Sequence, residues 1–298
     1  MPNKSFLMRS LMFVPAHNRR LMESAIKTDA DVLLPDIEDS VLPSRNKQIA
    51  RDNIKNMLAE GKLDNYRVFP RVNDRESGEL LKDVYQLSIK GIDGFMYPKS
   101  QTGKDVYFFD KLLETIEYEK SLPINTFKII PLIETAAAVL NVQEICKASS
   151  RVVAVAFGCE DFLTDLEGIH DKDGQSIFTA RAMITMAARA NNVIPIDTVH
   201  VNIHDLKELE SNLQLAKKLG FEGMLILHPK ELALAHQYFS PDEKEVRDAK
   251  TMLQLAEEAK QDDKGVALMN GKFIGPSMVA AAKKTLKKHE LISHKNKS

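Results

Sequence analysis

Eight short apolar runs recur along this chain, and stretches of helical periodicity separate them. The runs are rich in β-branched and aromatic residues and several are bounded by Pro or Gly, which is typical of buried strands of about four to eight residues. We predict strands at residues 10–15, 31–37, 67–72, 94–98, 127–133, 152–158, 198–201 and 224–228. Because most of the runs are apolar throughout rather than alternating, they favour a parallel sheet with helices on both faces.

Amphipathic patterns between the runs predict helices. The predicted helices lie at residues 18–28, 44–59, 78–89, 106–119, 135–147, 178–190 and 205–219. Asp205 is a suitable N-cap for the last of these, and Gly220 suits the left-handed residue that follows a helix. Three more helices, at 231–237, 242–261 and 276–289, follow the eighth strand, with a break at 265–275.

Eight strand–helix units predict an α/β fold, the (β/α)8 TIM barrel, which usually takes about 250 residues. An open, doubly wound sheet is the alternative, but residues 13–18 contain no glycine. The first strand is therefore not followed by the G-x-G-x-x-G loop of that fold. We predict a catalytic barrel at 1–230 and a helical extension at 231–298 that packs on a neighbouring subunit.

Charge and cysteine content exclude several classes of function. The 41 Lys and Arg residues balance 42 Asp and Glu residues, so no basic field is present to bind nucleic acid or anionic lipid. Two cysteines, Cys146 and Cys159, are too few for a disulfide framework. No apolar run is long enough for a signal sequence or a membrane span. The sequence therefore predicts a cytoplasmic protein without nucleic-acid or membrane partners.

Polar side chains repeatedly follow the predicted strands at their carboxyl ends, which form the active-site face of a barrel. The set comprises Asp36, Glu38 and Asp39 after the second strand, Arg71 near the end of the third, Lys99 after the fourth, Glu134 after the fifth and Asp161 after the sixth. We expect these side chains to form a ring of carboxylates and cations around one mouth of the barrel.

Glu134 and Asp161 are the candidate metal ligands, because they follow successive strands and should lie side by side. Two carboxylates suit a hard cation such as Mg²⁺, which completes its shell with water and substrate oxygens. Alternatively, these acids cap a helix or stabilise its first turn. Cys146 and Cys159 lie 13 residues apart without a paired His motif, so no His/Cys cluster of zinc spacing is present.

Arg71 is the candidate anion-binding residue. A charge within an apolar strand end is costly unless it is paired or lines a cavity, and arginine binds small carboxylates with two parallel hydrogen bonds. The alternative is a salt bridge with the acids of the neighbouring strand, and both can hold at once. Lys99 could contact an anionic group or be solvated, and His228 could transfer protons or cap a strand end.

Nine short motifs occur in order over nearly the whole chain. They are RSLMFVP (9–15), ADVLLPDIEDS (30–40), RVN (71–73), YPK (97–99), PLIET (131–135), AFGCED (156–161), LGFEG (219–223), HP (228–229) and NGKF (270–273). With these motifs the sequence resembles the citrate lyase β-subunit family, within the larger group of Mg²⁺-dependent acyl-CoA lyases and aldolases. Each motif alone is weak, but nine in order are specific.

The resemblance implies a barrel with extra C-terminal helices, assembled as a homotrimer or homohexamer. It implies that Glu134 and Asp161 bind Mg²⁺ and that Glu134 and Arg71 contact the oxo-acid part of the substrate as catalytic residues. The acids Asp36, Glu38 and Asp39 would then orient Arg71, water or a CoA-bearing partner. The implied reaction is the reversible Claisen-type cleavage of a short 3-hydroxyacyl thioester, such as a citryl, malyl or citramalyl thioester of CoA or an acyl carrier.

One position departs from the family pattern. In the lyases an aspartate follows the NGK-like motif and reaches the active site of a neighbouring subunit, whereas this chain has Gly275 there. A proton donor of this kind is commonly worth about 10²–10⁴ in rate. Asp205, Glu222 or His228 could supply the proton instead. The alternatives are an aldolase that uses a pyruvate-like enolate without CoA, and a thioesterase-like or purely ligand-binding barrel.

Overall fold

The computed structural model describes residues 6–171, 173–261, 267–269 and 271–295. The chain divides into two compact units. The first comprises Met8–His236, and the second comprises Met1–Leu7 and Gln237–Ser298 as far as these are described. We retain as a proposal that residues 1–230 form the catalytic domain and 231–298 an extension that meets a neighbouring subunit.

The first unit is built on eight parallel strands in the order β3–β2–β1–β8–β7–β6–β5–β4. The strands are β1 (Ser10–Pro15), β2 (Val32–Asp36), β3 (Arg67–Val68), β4 (Gly94–Tyr97), β5 (Lys128–Ile133), β6 (Ala154–Phe157), β7 (Ile194–Asp197) and β8 (Gly223–Ile226). Every residue of β2, β4, β6 and β8 is buried, as expected for a parallel sheet that is covered on both faces.

The sheet closes between β3 and β4. Pro70 has no N–H to donate, yet the chain stays extended beyond β3. The Met96 amide donates to the Pro70 carbonyl at 3.0 Å, and the Val72 amide donates to the Met96 carbonyl at 3.2 Å. Arg71 thereby bridges Asp36 on one side and Met96 on the other. The predicted (β/α)8 TIM barrel is confirmed.

Helices connect the strands on the outside of the barrel. They are α1 (Arg19–Ala25), α2 (Asn46–Ala59), α3 (Leu80–Leu87), α4 (Gly103–Glu119), α5 (Ala136–Leu140), α6 (Val142–Lys147), α7 (Cys159–Asp165), α8 (Gln175–Ala190) and α9 (Leu206–Leu219). The Asp205 carboxylate caps α9 by accepting from the amides of Lys207 and Glu208 at 3.2 and 3.0 Å, and Gly220 follows α9 with φ of 96°. Both predictions for this helix are confirmed.

The predicted seventh strand, at 198–201, is wrong by four residues. Its β-branched residues suggested a strand, but β7 is Ile194–Asp197. The Ile194 amide donates to the Val153 carbonyl at 3.0 Å, and Ile196 lies opposite Gly223 of β8. Pro195 fits there because its carbonyl still accepts from the Glu222 amide at 3.0 Å. Residues 198–201 instead follow the carboxyl end of β7 and face the pocket described below.

Two helical predictions also need correction. The segment 135–147 is two helices, α5 and α6, which meet at Asn141. The helix α7 was not predicted, because it has only seven residues and begins two residues after β6, so its buried residues Cys159, Phe162 and Leu163 are too few to stand out as a helical pattern. Since α7 carries Asp161, the missed helix belongs to the candidate site.

The C-terminal part of the chain contains a 3-10 turn and further helices. They are the turn Pro229–Glu231, α10 (Leu232–Phe239), α11 (Glu243–Gln261) and α12 (Pro276–Lys295), and α11 packs against α12. Within the predicted break at 265–275, β9 (Ala267–Met269) and β10 (Lys272–Ile274) form an antiparallel pair, while residues 265, 266 and 270 lie outside the described part. In the described part, no helix is long and apolar enough to span a membrane.

Candidate functional site

Arg71 is bound by the acids that follow β2. Its Nε donates to Asp36 Oδ1 at 2.7 Å and its Nη2 donates to Asp36 Oδ2 at 2.8 Å, a bidentate pair. Its Nη1 lies 3.0 Å from Glu38 Oε2 and 3.1 Å from Asp39 Oδ2. Nη2 carries a second N–H that no contact in the described part uses. Arg71 therefore forms the salt bridges that were the alternative to anion binding, and the second N–H of its Nη2 is left to donate to a ligand.

The Arg71–Asp36 pair keeps both groups charged. Burial by itself would raise the pKa of Asp36, but the adjacent guanidinium more than offsets it and holds that pKa below the usual range. Burial would likewise lower the pKa of Arg71, whereas the charge of Asp36 and the neighbouring acids raise it. The Arg71 guanidinium also lies 4.8 Å from the ring centre of Phe13. Arg71 is thus a fixed cation at the mouth of the barrel.

Lys99 connects the acids of β2 to the end of β5. Its Nζ lies 3.2 Å from Glu38 Oε1 and 3.0 Å from Asp74 Oδ2. Its backbone adopts φ of 54°, and its amide donates to Glu134 Oε1 at 2.6 Å. Such a left-handed φ is uncommon for a residue other than glycine. Lys99 therefore contacts two of the predicted site residues, one by its side chain and one by its backbone.

Glu134 is the buried carboxyl of the site, with 2% of its surface exposed. Burial and the nearby charge of Glu38 raise its pKa to about 8, against the opposing effect of the Lys99 amide, and Asp161 adds to the rise. Burial and the charge of Asp39 raise the pKa of Glu38 to about 7, against the opposing effect of Arg71. The mouth therefore holds more negative charge than its cations balance.

Gly158 lets the chain pass close to Glu134. A Cβ added at Gly158 would lie 2.9 Å from Glu134 Cβ and 3.1 Å from Glu134 Oε2. We expect Gly158→Ala to displace the Glu134 carboxylate and weaken Mg²⁺ binding by about 10-fold or more, the effect typical of disturbing the support of a metal ligand. Calorimetric titration of Mg²⁺ measures this, with thermal unfolding to confirm the fold. An unchanged affinity in a folded variant would show that Glu134 is not a ligand.

Asp161 lies in the first turn of α7 and is exposed. The N-cap of α7 is Gly158, which makes no side-chain cap, and in the described part the Asp161 carboxylate accepts no hydrogen bond. Asp161 is therefore not a cap, but it does lie in the first turn of α7, where a carboxylate stabilises a helix, so that alternative stays open beside metal binding. The charge of Asp161 contributes to the raised pKa of Glu134.

The residues at the mouth fit a hard divalent cation. Asp36, Glu38, Asp39, Asp74, Glu134 and Asp161 supply six carboxyls, against Arg71 and Lys99 as cations. Glu38 Oε1 is buried, and its partner in the described part is the Lys99 ammonium at 3.2 Å. Oxygen donors and an excess of negative charge are what Mg²⁺ requires. Glu134 and Asp161 are the two that would hold it.

Glu134 and Glu38 make the stability of the metal-free protein depend on pH. Their pKa values, about 8 and about 7, exceed the ordinary value of 4.5. Between pH about 4.5 and 8 these two groups thus hold more protons in the folded chain than in the unfolded chain, so their contribution to the free energy of unfolding falls as pH rises.

We expect the melting temperature in chelator to fall from pH about 5 to pH about 8. Glu134→Gln should flatten the upper part of that slope. Mg²⁺ should raise the melting temperature most at pH about 8, because it pairs with the ionised carboxylate. Thermal unfolding across the pH range measures both effects, and a wild-type melting temperature that does not change would contradict the assigned pKa of Glu134.

Two of the three alternative proton donors cap the element that follows them, and the third lies away from the mouth. Asp205 caps α9. Glu222 precedes β8, at the opposite end of the barrel from the mouth, and pairs with Arg189. The Nδ1 of His228 accepts from the Lys230 amide at 3.2 Å and caps the 3-10 turn. The position of Glu222 before β8 does not favour it as the replacement for the family acid.

Sequence reasoning missed a group of side chains beside the mouth. The Cys159 thiol, the Glu160 carboxylate and the His170 ring come together, with their donor atoms within 4.8 Å of one another. Cys159 and His170 also line a pocket of about 580 Å³, a volume that includes the solvent at its entrance. The buried Arg181–Asp197 pair and His200 line the same pocket. Residues 159 and 170 have no recognised motif spacing, so only the fold brings them together.

The comparisons with known proteins agree with this architecture. A model of the HpcH/HpaI aldolase/citrate lyase family matches residues 9–229. Citrate lyase subunit beta of Leuconostoc mesenteroides subsp. cremoris is 31% identical over 285 residues, covering 96% of this chain and 94% of that protein. The L-malyl-CoA/beta-methylmalyl-CoA lyase of Cereibacter sphaeroides (strain ATCC 17029 / ATH 2.4.9) is 30% identical over 309 residues, covering 96% and 95%.

Solved structures share the fold. Protein CitE from Mycobacterium tuberculosis, in complex with magnesium, acetoacetate and coenzyme A, superposes with a TM-score of 0.73 at 23% identity, over 94% of this chain and 97% of that chain. A citrate lyase from Burkholderia xenovorans LB400 gives a TM-score of 0.82 at 18% identity, over 96% and 93%.

Proposed function

Because this chain belongs to the HpcH/HpaI aldolase/citrate lyase family, we propose that it is a Mg²⁺-dependent lyase that cleaves or forms a short 3-hydroxyacyl thioester. It is a lyase of carbon–carbon bonds, in keeping with the names of its relatives. The supporting observation in this chain is the buried carboxyl of Glu134, whose pKa is raised by burial and by neighbouring acids and which follows its strand at the same end of the barrel as the fixed cation Arg71.

The substrate class follows from the donors at the mouth together with the relatives. Arg71 has one free N–H for a small carboxylate, and Glu134 and Asp161 offer hard oxygens for a metal that binds an oxo acid. One relative is named as a lyase of malyl-CoA and β-methylmalyl-CoA, and one structural neighbour is described with magnesium, acetoacetate and coenzyme A. We therefore propose a thioester of CoA or an acyl carrier protein, with an oxo acid as the second product.

In the cleavage direction the substrate loses the proton of its 3-hydroxyl, and the bond between C2 and C3 breaks. The electron pair of that bond passes to the thioester as an enolate, which takes a proton at C2. Mg²⁺, when bound, polarises the oxo-acid oxygens and stabilises the developing negative charge. Arg71 orients the oxo acid and stabilises charge on it, and the Asp36 carboxylate holds the guanidinium in place.

The proton needs a carrier at the mouth. Glu38 is buried, its two carboxylate oxygens pair with Arg71 and Lys99, and its pKa is raised to about 7. A group with a pKa near the working pH exchanges protons efficiently. We assign to Glu38 the exchange of the 3-hydroxyl proton. Protonation of C2 is the step for which the lyase family uses the aspartate that Gly275 replaces.

A panel of thioesters tests the proposal. Purified protein is incubated with malyl-, citramalyl- and citryl-CoA, with Mg²⁺ or with chelator, and the released thioester and oxo acid are quantified. We expect Mg²⁺-dependent cleavage of at least one of the thioesters. Turnover only of mixtures of pyruvate and an aldehyde, without CoA, would contradict the thioester proposal and favour the aldolase.

The second candidate is a barrel that binds the ligand without turnover. Gly275 favours it, because the chain lacks the acid that serves the lyases at this place. In that case calorimetry would detect Mg²⁺ and a dicarboxylate bound at the mouth, while neither a thioester nor an aldol adduct is consumed.

The homotrimer or homohexamer implied by the family also remains a proposal, and light scattering measures it.

A further inference from the structure

Three side chains with different metal-binding atoms converge at the start of α7, the helix that also carries Asp161. Cys159 begins α7, Glu160 follows it, and His170 lies beyond the end of α7. Glu160 Oε1 is 3.4 Å from Cys159 Sγ and 2.7 Å from His170 Nε2. Cys159 is buried, whereas Glu160 and His170 are exposed. A thiol, a carboxylate and an imidazole therefore meet at one point with access to solvent.

We propose that Cys159, Glu160 and His170 form a second metal site, which takes a borderline-soft divalent cation such as Zn²⁺. Thiolate and imidazole are ligands that Zn²⁺ prefers, whereas Mg²⁺ binds oxygen. Three protein ligands leave a fourth position for water or an exogenous ligand. This site is independent of the proposed lyase function and of the Glu134–Asp161 pair.

The spacing of the donor atoms suits tetrahedral coordination. Zn–S bonds of about 2.3 Å and Zn–N or Zn–O bonds of about 2.0–2.2 Å place neighbouring donors about 3.3–3.6 Å apart. The Sγ to Oε1 distance of 3.4 Å already has this value. The hydrogen bond of 2.7 Å between Glu160 and His170 must open by about half an ångström, which two exposed side chains allow.

The surroundings supply support and an entry path. The Cys159 amide donates to Thr198 Oγ1 at 3.2 Å, which fixes the backbone that carries the thiol. Cys159 and His170 both line the pocket that contains the Arg181–Asp197 pair, so an ion can reach the donors from solvent. On binding, the cation replaces the thiol proton of Cys159, which passes to solvent, while Glu160 binds as a carboxylate and His170 through its neutral Nε2. No electron is transferred.

Co²⁺ is the probe that tests this site. The full-length protein is titrated with Co²⁺ in excess Mg²⁺, which occupies the carboxylate pair at the mouth. We expect a thiolate-to-Co²⁺ charge-transfer band in the near ultraviolet that saturates at one equivalent. Zn²⁺, for which thiolate and imidazole ligands are well suited, should displace Co²⁺ and abolish the band.

Variants assign the band to its ligands. Cys159→Ser should abolish it. His170→Gln should weaken Co²⁺ and Zn²⁺ binding by at least about 10–100-fold, because this loss is typical even for residues that only hydrogen-bond to a metal ligand. Cys146→Ser is the matched control, because Cys146 is the other buried cysteine and lies on α6; its band should be unchanged. His170 is half-exposed, so its variant tests the site even if Cys159→Ser does not fold.

The outcomes separate this site from the proposed function. Glu134→Gln should leave the Co²⁺ band unchanged even though it removes the proposed Mg²⁺ ligand. Absence of a thiolate band, or a band that persists in Cys159→Ser or disappears in Cys146→Ser, would overturn the second site. None of these results depends on whether a thioester is cleaved.

Discussion

Glu134→Gln is expected to reduce Mg²⁺-dependent turnover by at least about 10³-fold, the loss that corresponds to several kcal/mol of charge stabilisation by the metal. The substitution keeps the shape of the side chain and its acceptor for the Lys99 amide. It removes only the ionised carboxylate. Steady-state assays over a range of Mg²⁺ concentrations measure the effect, and excess Mg²⁺ should not restore the rate.

The stability of this variant distinguishes a lost ligand from a lost fold. Glu134 has a raised pKa because burial and Glu38 oppose its ionisation, so a neutral glutamine relieves repulsion. The melting temperature should stay within a few degrees of the wild type, where 1 kcal/mol corresponds to about 2–4 °C for a domain of this size. Asp161→Asn should behave in the same way.

A matched control is Glu167→Gln, at an exposed carboxylate just beyond the end of α7. This variant should retain wild-type turnover and wild-type response to Mg²⁺. If Glu134→Gln and Asp161→Asn both retain Mg²⁺-dependent turnover, the metal is bound elsewhere and the site assignment is wrong.

Gly275→Asp is expected to raise turnover of a cleaved thioester by about 10²–10⁴-fold, the usual contribution of a positioned proton donor. The reason is that the lyase family, by the pattern of its sequences, has an aspartate at this place. If the chain cleaves thioesters slowly because it lacks that acid, restoring the acid restores the rate of enolate protonation.

The local structure accepts the substitution. Gly275 precedes Pro276 at the start of α12, and its carbonyl accepts from the amides of Met278 and Val279 at 3.0 and 3.2 Å. Aspartate is a favoured residue at such an N-cap, and Pro at the first helical position. An added Cβ would be 3.4 Å from Phe273 Cε1, so the side chain fits with little adjustment.

Gly275→Asn is the control, because asparagine caps a helix equally well and has nearly the same size but supplies no acid. We expect it to fold like the aspartate variant and to show no gain in rate. Equal rates in the two variants would show that residue 275 does not protonate the enolate. The protonation would then belong to another carboxyl, and Glu38→Gln would be the next variant to assay.

The barrel, and the residues that lie at its mouth, could be predicted from sequence because both depend on local patterns. Continuous apolar runs identify buried parallel strands, and the residues that follow such strands must lie at one end of the barrel. Arg71, Glu134 and Lys99 were assigned to the mouth in this way. The seventh strand was misplaced because Thr198 and Val199 have high β-propensity, whereas the actual strand contains Pro195 and is held by its pairing with β6 and β8.

The contacts within the site could not be predicted, since they depend on how separate elements approach each other. Three contacts of the site each join segments that are 24 or more residues apart in the sequence. They are the bidentate pair of Arg71 with Asp36, the hydrogen bond from the Lys99 amide to Glu134, and the close approach of Gly158 to Glu134. The meeting of Cys159 with His170 depends on α7, a helix of only seven residues that is too short to give a clear periodic signal. Sequence patterns do not record such distances.

A crystal of the protein soaked with Mn²⁺ in place of Mg²⁺ and with an oxo acid tests the central claim most directly. Anomalous scattering locates the Mn²⁺ independently of any assumed ligand. We predict a single peak at the mouth, about 2.0–2.2 Å from carboxylate oxygens of Glu134 and Asp161, with the oxo acid between the metal and Arg71. A mouth without metal, with Glu134 still bound to the Lys99 amide and the oxo acid absent, would contradict the account.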